Sequence, residues 1–408
     1  MAPVAAEVRR IVVRTCGRRS RPGRVYGRRG HSAGKFNLGI FGSKVRLNLA
    51  LQGGGVHGAF TWGVLDRLLQ DQRIEFGWVS GTSAGAVNAV ALAAGLCDGG
   101  RDGARDKLAT VWHSVHKAGV PDLMRFNPFL YSLSRLPAVT QMAGLFSPYE
   151  FNPTGFDPLR RLLIENIDFD RLRQSAPIEL IVSATDVATG RARHFRRKEL
   201  AVEAVLASAC LPTLHHAVEI DGRAYWDGGF SANPDLVTLA SESPVKDTLI
   251  VQLNPTAIGS LPRGVREISD HANTLTFNAP LLRDVEIIET ARKALRASWL
   301  PGHGTMVRLA RHRFHLVEAS RYTSALKPDS KMQPDRSVLN YLFGAGRTEA
   351  SKWIEQHLKH VGRRASIDLR QRYLLPADVQ LPVNPIEPSA VEVSENSEPA
   401  LRSEPQSA

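Results

Sequence analysis

Two short apolar segments near the start of the chain each end in a glycine-rich turn and lead into a stretch with helical spacing. The first is "KVRLNLALQGGG", a strand pattern from Lys44 that is followed by the periodic segment "HGAFTWGVLDRLLQD". The second is "FGWVSGTSAGAVNAVALAAGL", with a short strand, a turn and a helix of small residues. Two such units in succession predict parallel strands joined by crossover helices. We therefore expect a three-layer α/β fold, in which helices cover a central, mostly parallel sheet.

The rest of the body supplies further strands and helices. One hairpin is predicted at "IELIVSATDVATG" and "RARHF", and a second in "HAVEIDGRAYWDGG" that turns at Asp221 and Gly222. Further strands are predicted at 247–255 and "FHLVEA", with amphipathic helices in "APLLRDVEIIETARKALRAS" and "SVLNYLFGAGRTEASKWIEQHLKHV". Because no linker interrupts 44–375, one domain is expected, with a core at 44–245 completed by 246–375. The proline-broken segment 104–175 fits either a substrate wall or ordinary packing helices.

Both ends of the chain differ in composition from this body. Residues 1–42 carry nine Arg and one Lys against a single acid, whereas the residues from Pro376 onward carry six acids and one Arg. We expect a disordered Arg-rich arm at 1–43, with an organelle presequence or surface-binding arm as the alternative, and a solvated acidic tail at 376–408. Much of the net charge of +12 therefore lies in the arm, and no nucleic-acid partner is expected.

Cysteine spacing and hydropathy narrow the class of protein further. Cys16, Cys97 and Cys210 lie far apart without a C-x-x-C pair, so neither a disulfide framework nor a zinc site is expected. The adjacent His215 and His216 have no further ligand at metal-binding spacing. The chain has no apolar run of about 18 residues and no clear signal peptide, which predicts a cytoplasmic protein without a transmembrane helix.

The turn of the second unit places a serine between two glycines. Gly81, Ser83 and Gly85 form a G-x-S-x-G motif with a strand before it and a helix after it. A nucleophilic serine needs such a turn to project its Oγ, and the flanking glycines relieve the crowding. The helix N-terminus would add partial positive charge for an oxyanion. The pattern also fits a plain turn with an N-capping serine, so by itself it leaves both interpretations open.

The turn of the first unit, "GGGVHG" at 53–58, also has two interpretations. As a G-x-G-x-x-G it could hold a dinucleotide, but the acid expected about 20 residues later is absent, and "WVSGTS" stands in its place. Alternatively, its backbone N–H groups could form an oxyanion hole. Gly54 and Gly55 are then the natural donors, with Gly53 in the same loop and Gly58 permitting close helix packing.

A third element, "YWDGGF", follows the second strand of a predicted hairpin. Its Asp227 precedes Gly228 and Gly229, and such a turn can hold a carboxylate where it accepts a proton from a hydroxyl. An isolated Asp-Gly pair is more often only a turn. The order of the three motifs along the chain is therefore more informative than any one of them.

In this order, "GGGVHG", "GTSAG" and "DGG" resemble the patatin-like phospholipases, lipid acyl hydrolases with a Ser-Asp dyad. The resemblance covers roughly residues 45–240 and includes "SATDVATG" and "ASACLPTLHHAVEIDGRAYWDGGFSANPDL". It implies a patatin-like fold, with Ser83 as nucleophile and Asp227 as general base. It assigns the oxyanion hole to Gly53, Gly54, Gly55 and Gly58, with motif support from Gly81, Gly85, Gly228 and Gly229. The chain departs from the family at His57, where Arg or Lys is usual.

The resemblance implies hydrolysis of fatty-acyl esters of phospholipids or lysophospholipids through an acyl-enzyme, with no metal or organic cofactor. Peripheral contact with a membrane surface is left open. A carboxylesterase or neutral-lipid esterase and a catalytically idle lipid-binding regulator are the alternatives. A Ser-Asp-His triad is a further one, because four histidines follow Asp227, namely His271, His303, His312 and His315. None of them lies in a glycine-flanked loop directly after a convincing strand, so the dyad is preferred.

Overall fold

The structure, a computed structural model, describes residues 44–118, 147–257, 261–298, 303–324, 326 and 328–375. All of these residues belong to one unit of the chain. The predicted Arg-rich arm and acidic tail lie outside the described residues, as do residues 119–146 of the proline-broken segment. Within the described ranges, no helix combines the length and the apolar character needed to cross a membrane.

The strands of the described part form a single sheet. They are β1 (Val45–Leu51), β2 (Ile74–Thr82), β3 (Glu179–Asp186), β4 (Ala192–Arg196), β5 (Val218–Ile220), β6 (Arg223–Asp227), β7 (Asp247–Gln252) and β8 (Arg313–Glu318). The strands β3, β2, β1, β7 and β8 are parallel neighbours in that order. Both predicted hairpins are present, because β4 pairs antiparallel with β3, and β5 with β6. The predicted α/β class with a mostly parallel sheet is confirmed.

Helices join and cover these strands. They are α1 (Gly58–Gln70), α2 (Ala84–Ala118), α3 (Pro148–Phe151), α4 (Pro158–Asn166), α5 (Phe169–Ser175), α6 (Val202–Ser208), α7 (Val237–Glu242), α8 (Val265–Ala297), α9 (Thr305–Arg311), α10 (Ser320–Thr323) and α11 (Arg336–His357). The helix α8 begins well before the predicted segment and continues through Pro280. Buried apolar residues after this proline, among them Leu281 and Val285, pack into a core, which outweighs the hydrogen bond that proline removes.

Alternating side chains of the sheet enter two separate apolar cores. In β1, Leu47, Leu49 and Leu51 belong to a core that also contains residues of α1, α2 and α11. Ala50 instead belongs to a core with residues of α7, α8 and α9. Successive residues of a strand point to opposite faces, and a central parallel strand is normally covered on both. The three-layer arrangement is therefore confirmed as well.

One edge of β3 is shared by two other strands. The parallel strand β2 pairs with residues 179–183 of β3, and its last residue, Thr82, stands opposite Ser183. The antiparallel strand β6 pairs with the next residues, and its last residue, Asp227, stands opposite Ala184. The strand β4 pairs along residues 181–185 and so occupies the other edge. The final residues of β2 and β6 therefore meet end to end, although they are far apart in the sequence.

Candidate active site

Ser83 lies in the turn between β2 and α2. Its φ of 54° falls in the left-handed region, which costs a residue other than glycine roughly 1–2 kcal/mol. Its backbone N–H donates a hydrogen bond of 2.9 Å to Ser208 Oγ, and its carbonyl accepts from the N–H groups of Ala86 and Val87. Ser83 is partly exposed, whereas both of its sequence neighbours are buried. This strained turn therefore presents the hydroxyl at the start of α2, where solvent can reach it.

The two glycines that flank Ser83 stand where no side chain fits. A Cβ on Gly85 would lie 2.1 Å from the carbonyl oxygen of Leu51, because α2 begins directly against β1. A Cβ on Gly81 would lie 2.5 Å from the carbonyl oxygen of Gly85. Close backbone approach thus explains both glycines of the G-x-S-x-G motif, as expected for a turn that exposes a nucleophile.

The glycine loop at 53–58 begins directly against this serine. A Cβ on Gly53 would lie 2.8 Å from the Cβ of Ser83, so only glycine allows the loop to approach so closely. The N–H of Gly53 donates a hydrogen bond of 2.8 Å to Asn233 Oδ1. This donor is therefore already occupied and cannot also bind an oxyanion.

The other predicted members of the loop differ in whether their N–H groups are available. The N–H of Gly58 is bonded to the carbonyl oxygens of Gly55 and Val56 at the start of α1. No partner within the described residues accepts the N–H groups of Gly54 and Gly55. Gly54 is partly exposed and Gly55 is exposed. These two glycines are the only ones of the four nominated positions with both a free donor and access from solvent.

Asp227 is almost fully buried, with 1% of its surface exposed. Its Oδ1 accepts a hydrogen bond of 2.7 Å from the N–H of Gly229, whereas Oδ2 has no hydrogen-bond partner among the described residues. Burial raises the pKa of the carboxyl from 3.8 to about 7, opposed by the Gly229 N–H and the Ser83 side chain, which favour the charged form. The carboxylate is therefore a far stronger base than an exposed aspartate.

The structure brings the two predicted catalytic residues together. The Ser83 side chain is near enough to the Asp227 carboxyl to lower its pKa by hydrogen bonding. The contact falls short of full hydrogen-bond geometry, since Oδ2 has no hydrogen-bond partner among the described residues. Such bonds often tighten only when substrate is bound. The pairing with β3 explains the proximity, because Ser83 follows the residue opposite Ser183 and Asp227 stands opposite Ala184.

Gly228 and Gly229 make the turn after Asp227 tight. A Cβ on Gly228 would lie 2.0 Å from the carbonyl oxygen of Ser183. A Cβ on Gly229 would lie 2.2 Å from the ring of Phe277 in α8 and 2.9 Å from Asp227 Oδ1. Only glycine at both positions lets the Gly229 N–H reach the carboxylate beneath α8.

Sequence reasoning missed the polar side chains that hold these motifs in place. Asn233 accepts from the glycine loop, and its Nδ2 donates to the carbonyl oxygen of Phe277 at 3.0 Å. Gln52 Oε1 accepts the backbone N–H of Asn254 at 2.9 Å, and its Nε2 donates to the carbonyl oxygen of Asn233 at 3.3 Å. In the sequence, Gln52 stands directly before the glycine loop and Asn233 shortly after the Asp-Gly-Gly turn, and these positions are the only signals for them. Ser208, which accepts a hydrogen bond from the Ser83 N–H, has no such signal.

The four histidines considered for the alternative triad do not form a hydrogen bond with Asp227 in the described residues. Neither carboxylate oxygen of Asp227 has a histidine as a hydrogen-bond partner in the described part of the chain. His312 Nε2 instead lies 2.7 Å from Thr248 Oγ1, and burial lowers the pKa of His312 to about 3. His315 Nε2 lies 3.2 Å from Asp247 Oδ1, at the start of β7 and so at the opposite end of the sheet from Ser83. The geometry therefore favours the dyad.

His57, where the chain departs from the family pattern, is buried beside the glycine loop. Its Nε2 lies 2.8 Å from Ser330 Oγ, and its Nδ1 has no partner among the described residues. Burial, and secondarily the nearby charge of Lys331, lowers the pKa of His57 to about 4. His57 is therefore neutral at neutral pH. Over the described ranges, no group of three or more His, Cys, Asp or Glu is placed to hold a metal ion.

The chain is similar to one known protein family and to several solved structures. Residues 49–240 match the family model of the patatin-like phospholipases. A search of the curated proteins gave no match. Among solved structures, VipD from Legionella pneumophila is 15% identical with a TM-score of 0.36, covering 76% of this chain and 67% of VipD. The complex of ExoU with SpcU from Pseudomonas aeruginosa gives 14% identity and a TM-score of 0.31, covering 81% of this chain but only 58% of the other.

Proposed function

We propose that the chain, whose residues 49–240 match the family model of the patatin-like phospholipases, hydrolyses fatty-acyl esters of phospholipids and lysophospholipids. Ser83 is the nucleophile and Asp227 the general base. The observation that carries this assignment is the buried Asp227 carboxyl beside the Ser83 hydroxyl. Its Oδ2 has no partner in the described part of the chain, and burial raises its pKa to about 7. A base of this strength suits proton abstraction at neutral pH.

Acylation follows from the placement of these groups. Asp227 Oδ2 takes the proton of Ser83 Oγ as the oxygen attacks the ester carbonyl carbon, and the carbonyl electron pair moves onto the carbonyl oxygen. The bond to the alcohol then breaks, and the leaving oxygen takes the proton from Asp227. The acyl group remains on Ser83 as an ester.

The negative oxygen formed in this step needs donors that are already in place. The free N–H groups of Gly54 and Gly55 and the N-terminus of α2 supply them, and such preorganised donors are usually worth about 10²–10³ in kcat each. Gly53 contributes by its close packing against Ser83 instead of by its N–H.

Deacylation uses the same base, with water as the nucleophile and Ser83 as the leaving group. A water molecule gives a proton to Asp227 and attacks the acyl carbon, the bond to Ser83 Oγ breaks, and the proton returns to the serine. A single carboxylate therefore serves both half-reactions, and no step in this sequence needs a cofactor.

The lipid substrate implies peripheral contact with a membrane surface. Three apolar side chains on one face of the first half of α8, Val265, Ile268 and Leu275, are between 50% and 89% exposed. The same helix covers the catalytic turn through Phe277. Co-sedimentation with phospholipid vesicles should be strong for wild type and weak for a variant with serine at all three positions; equal binding would contradict this contact.

The assignment is tested with labelling and turnover of one set of variants. Wild type should react with a fluorophosphonate probe and hydrolyse phospholipid, lysophospholipid and small esters. Ser83→Ala and Asp227→Asn should fold normally and lose turnover by about 10³-fold or more. Asp102→Asn removes a carboxylate that is 90% exposed in α2 and serves as the matched control with unchanged turnover. Unlabelled wild type would instead support the idle lipid-binding regulator, and turnover of small esters alone would support the esterase.

A further inference from the structure

A lysine ammonium lies half-buried beside the glycine loop without an acidic partner. Lys331 ends a helical turn at Pro328–Lys331, and its Nζ donates a hydrogen bond of 3.0 Å to Asn254 Oδ1. Within the described residues, no carboxylate lies within ion-pair distance of this Nζ; Asp270 of α8 acts on it only from further away. An ammonium carries three donors, so two of them have no partner among the residues that the structure describes. Burying a charge in this way is costly unless an anion compensates it.

Several contacts fix Lys331 against the loop that would receive the ester. The carbonyl oxygen of Lys331 would lie 2.4 Å from a Cβ on Gly55, so the two backbones touch. Its neighbour Ser330 is bonded to His57 Nε2 at 2.8 Å, on the other side of the same loop. Asn254, which holds the ammonium, is itself held through its backbone N–H by Gln52, directly before the first glycine. These contacts therefore hold Lys331 in a defined position at this end of the sheet.

Within the described ranges, Lys331 brings positive charge to the side of this loop. His57 is a member of the loop, but its neutral imidazole carries no charge at neutral pH. Lys331 remains partly accessible to solvent, so a ligand in the site can reach it. The ammonium bonds to Asn254, which follows Leu253, and the Leu253 side chain would lie 3.0 Å from a Cβ on Gly54, so the cation lies at the end of the sheet that carries the glycine loop.

We propose that Lys331 binds the phosphate of the glycerophospholipid or lysophospholipid whose ester is cleaved at Ser83, and so selects phospholipids over neutral glycerides. The inference rests on the proposed function and adds the residue that determines its substrate class. A phosphate oxygen accepts the two unused N–H donors of the ammonium in charge-assisted hydrogen bonds, which are about twice as strong as neutral ones. A neutral glyceride offers no such charge and leaves the ammonium uncompensated.

The test compares two soluble substrates with the same short acyl chain, a lysophosphatidylcholine and a monoacylglycerol, each below its aggregation concentration. The quantity measured is the ratio of their kcat/KM values. Lys331→Gln removes the charge and keeps the length, Lys331→Arg keeps the charge, and Lys44→Gln is the matched control. Lys44 pairs with Glu75 at the start of β1, at the opposite end of that strand from the glycine loop.

We expect Lys331→Gln to lower the ratio of phospholipid to glyceride kcat/KM by about tenfold, the usual effect of losing a hydrogen bond to a charged group. Lys331→Arg should retain most of the ratio, and Lys44→Gln all of it. An unchanged ratio, or an equal fall on both substrates, would overturn the proposal and leave Lys331 as a support of the loop. Loss of inhibition by inorganic phosphate without a change in the ratio would also overturn it, because the ammonium would then serve a free anion. Failure of the proposed function is a different result, in which Ser83→Ala still cleaves both substrates.

Discussion

Asn233 and Gly53 are joined by a hydrogen bond of 2.8 Å, in which the backbone N–H of Gly53 donates to the side-chain Oδ1 of Asn233. The bond connects two of the three motifs, because Asn233 follows the Asp-Gly-Gly turn and Gly53 opens the glycine loop. A second contact runs the other way, from Gln52 Nε2 to the carbonyl oxygen of Asn233. Gln52 and Asn233 therefore act as one clamp that joins the Asp-Gly-Gly turn to the glycine loop.

We expect Asn233→Ala to weaken both the fold and turnover. The buried N–H of Gly53 would lose its acceptor, which should lower the free energy of unfolding by about 1–3 kcal/mol. A loosened glycine loop should lower kcat/KM by about 10–100-fold, since small displacements of positioning groups are costly. Urea unfolding and ester turnover measure the two effects.

The control for this substitution is Asn166→Ala. The Nδ2 of Asn166 bonds to the carbonyl oxygen of Leu162 within α4 at 2.8 Å, so its loss should leave kcat/KM unchanged. If Asn233→Ala kept wild-type turnover while losing stability, the clamp would be structural only.

The pH dependence of turnover should report the buried carboxylate. Burial raises the pKa of Asp227 to about 7, and only the ionised form can accept the Ser83 proton. We therefore expect kcat/KM of the wild type to rise with pH and to level off above a midpoint near this pKa, because kcat/KM titrates with the free enzyme. An exposed aspartate would give a midpoint near about 4. A profile with that lower midpoint would contradict the assignment of Asp227 as base.

The free energy of unfolding should also depend on the Asp227 carboxyl, but it should fall with rising pH where kcat/KM rises. The pKa of Asp227 is about 7 in the folded state against 3.8 for an ordinary aspartate, so the native state binds the extra proton between these values. The contribution of this carboxyl to the free energy of unfolding is greatest below pH 3.8 and is lost as pH rises through about 7. Asp227→Asn does not titrate and should therefore become more stable than wild type as pH rises, by up to about 1.4 kcal/mol per pH unit within that window.

Chemical unfolding of both proteins at a series of pH values measures this difference. Asp102→Asn, at an exposed site, should follow the wild-type curve throughout. Equal stability of wild type and Asp227→Asn at all pH values would mean that burial does not raise the carboxyl pKa.

The sequence allowed the fold and the chemical groups of the site to be predicted, because both depend on local patterns. Alternation in β1, the helical period of α1 and the glycines around Ser83 are each visible within a few residues. The proximity of Ser83 to Asp227 does not depend on a local pattern. It arises because β2 and β6 pair with the same edge of β3, and no local segment of the sequence determines the order of the strands. The sequence therefore predicted the residues of the candidate site but not the reason for their proximity.

The supporting polar residues could not be predicted for a related reason. Gln52, Asn233 and Ser208 act through hydrogen bonds to backbone groups that are distant in the sequence. Such partners follow from the folded geometry alone, and Gln or Asn near a turn has many local explanations. Lys331 was missed likewise, because only packing against Gly55 brings it to the loop.

The last prediction is that Gly→Ala substitutions destabilise the protein where the glycine is in close contact with backbone and stabilise it where the glycine lies in open space. Gly85→Ala places a Cβ 2.1 Å from the carbonyl oxygen of Leu51, a backbone atom that cannot move away cheaply, and should destabilise the fold by about 4 kcal/mol or more. Gly344→Ala in α11 meets nothing within 4 Å and should stabilise the protein by up to about 1 kcal/mol, the difference in helix propensity. Gly346→Ala in the same helix would lie 2.1 Å from the carbonyl oxygen of Phe60 and should behave like Gly85→Ala. Soluble yield and thermal unfolding should distinguish Gly344→Ala from the other two variants. A tolerated Gly85→Ala would show that α2 does not start against β1 as described.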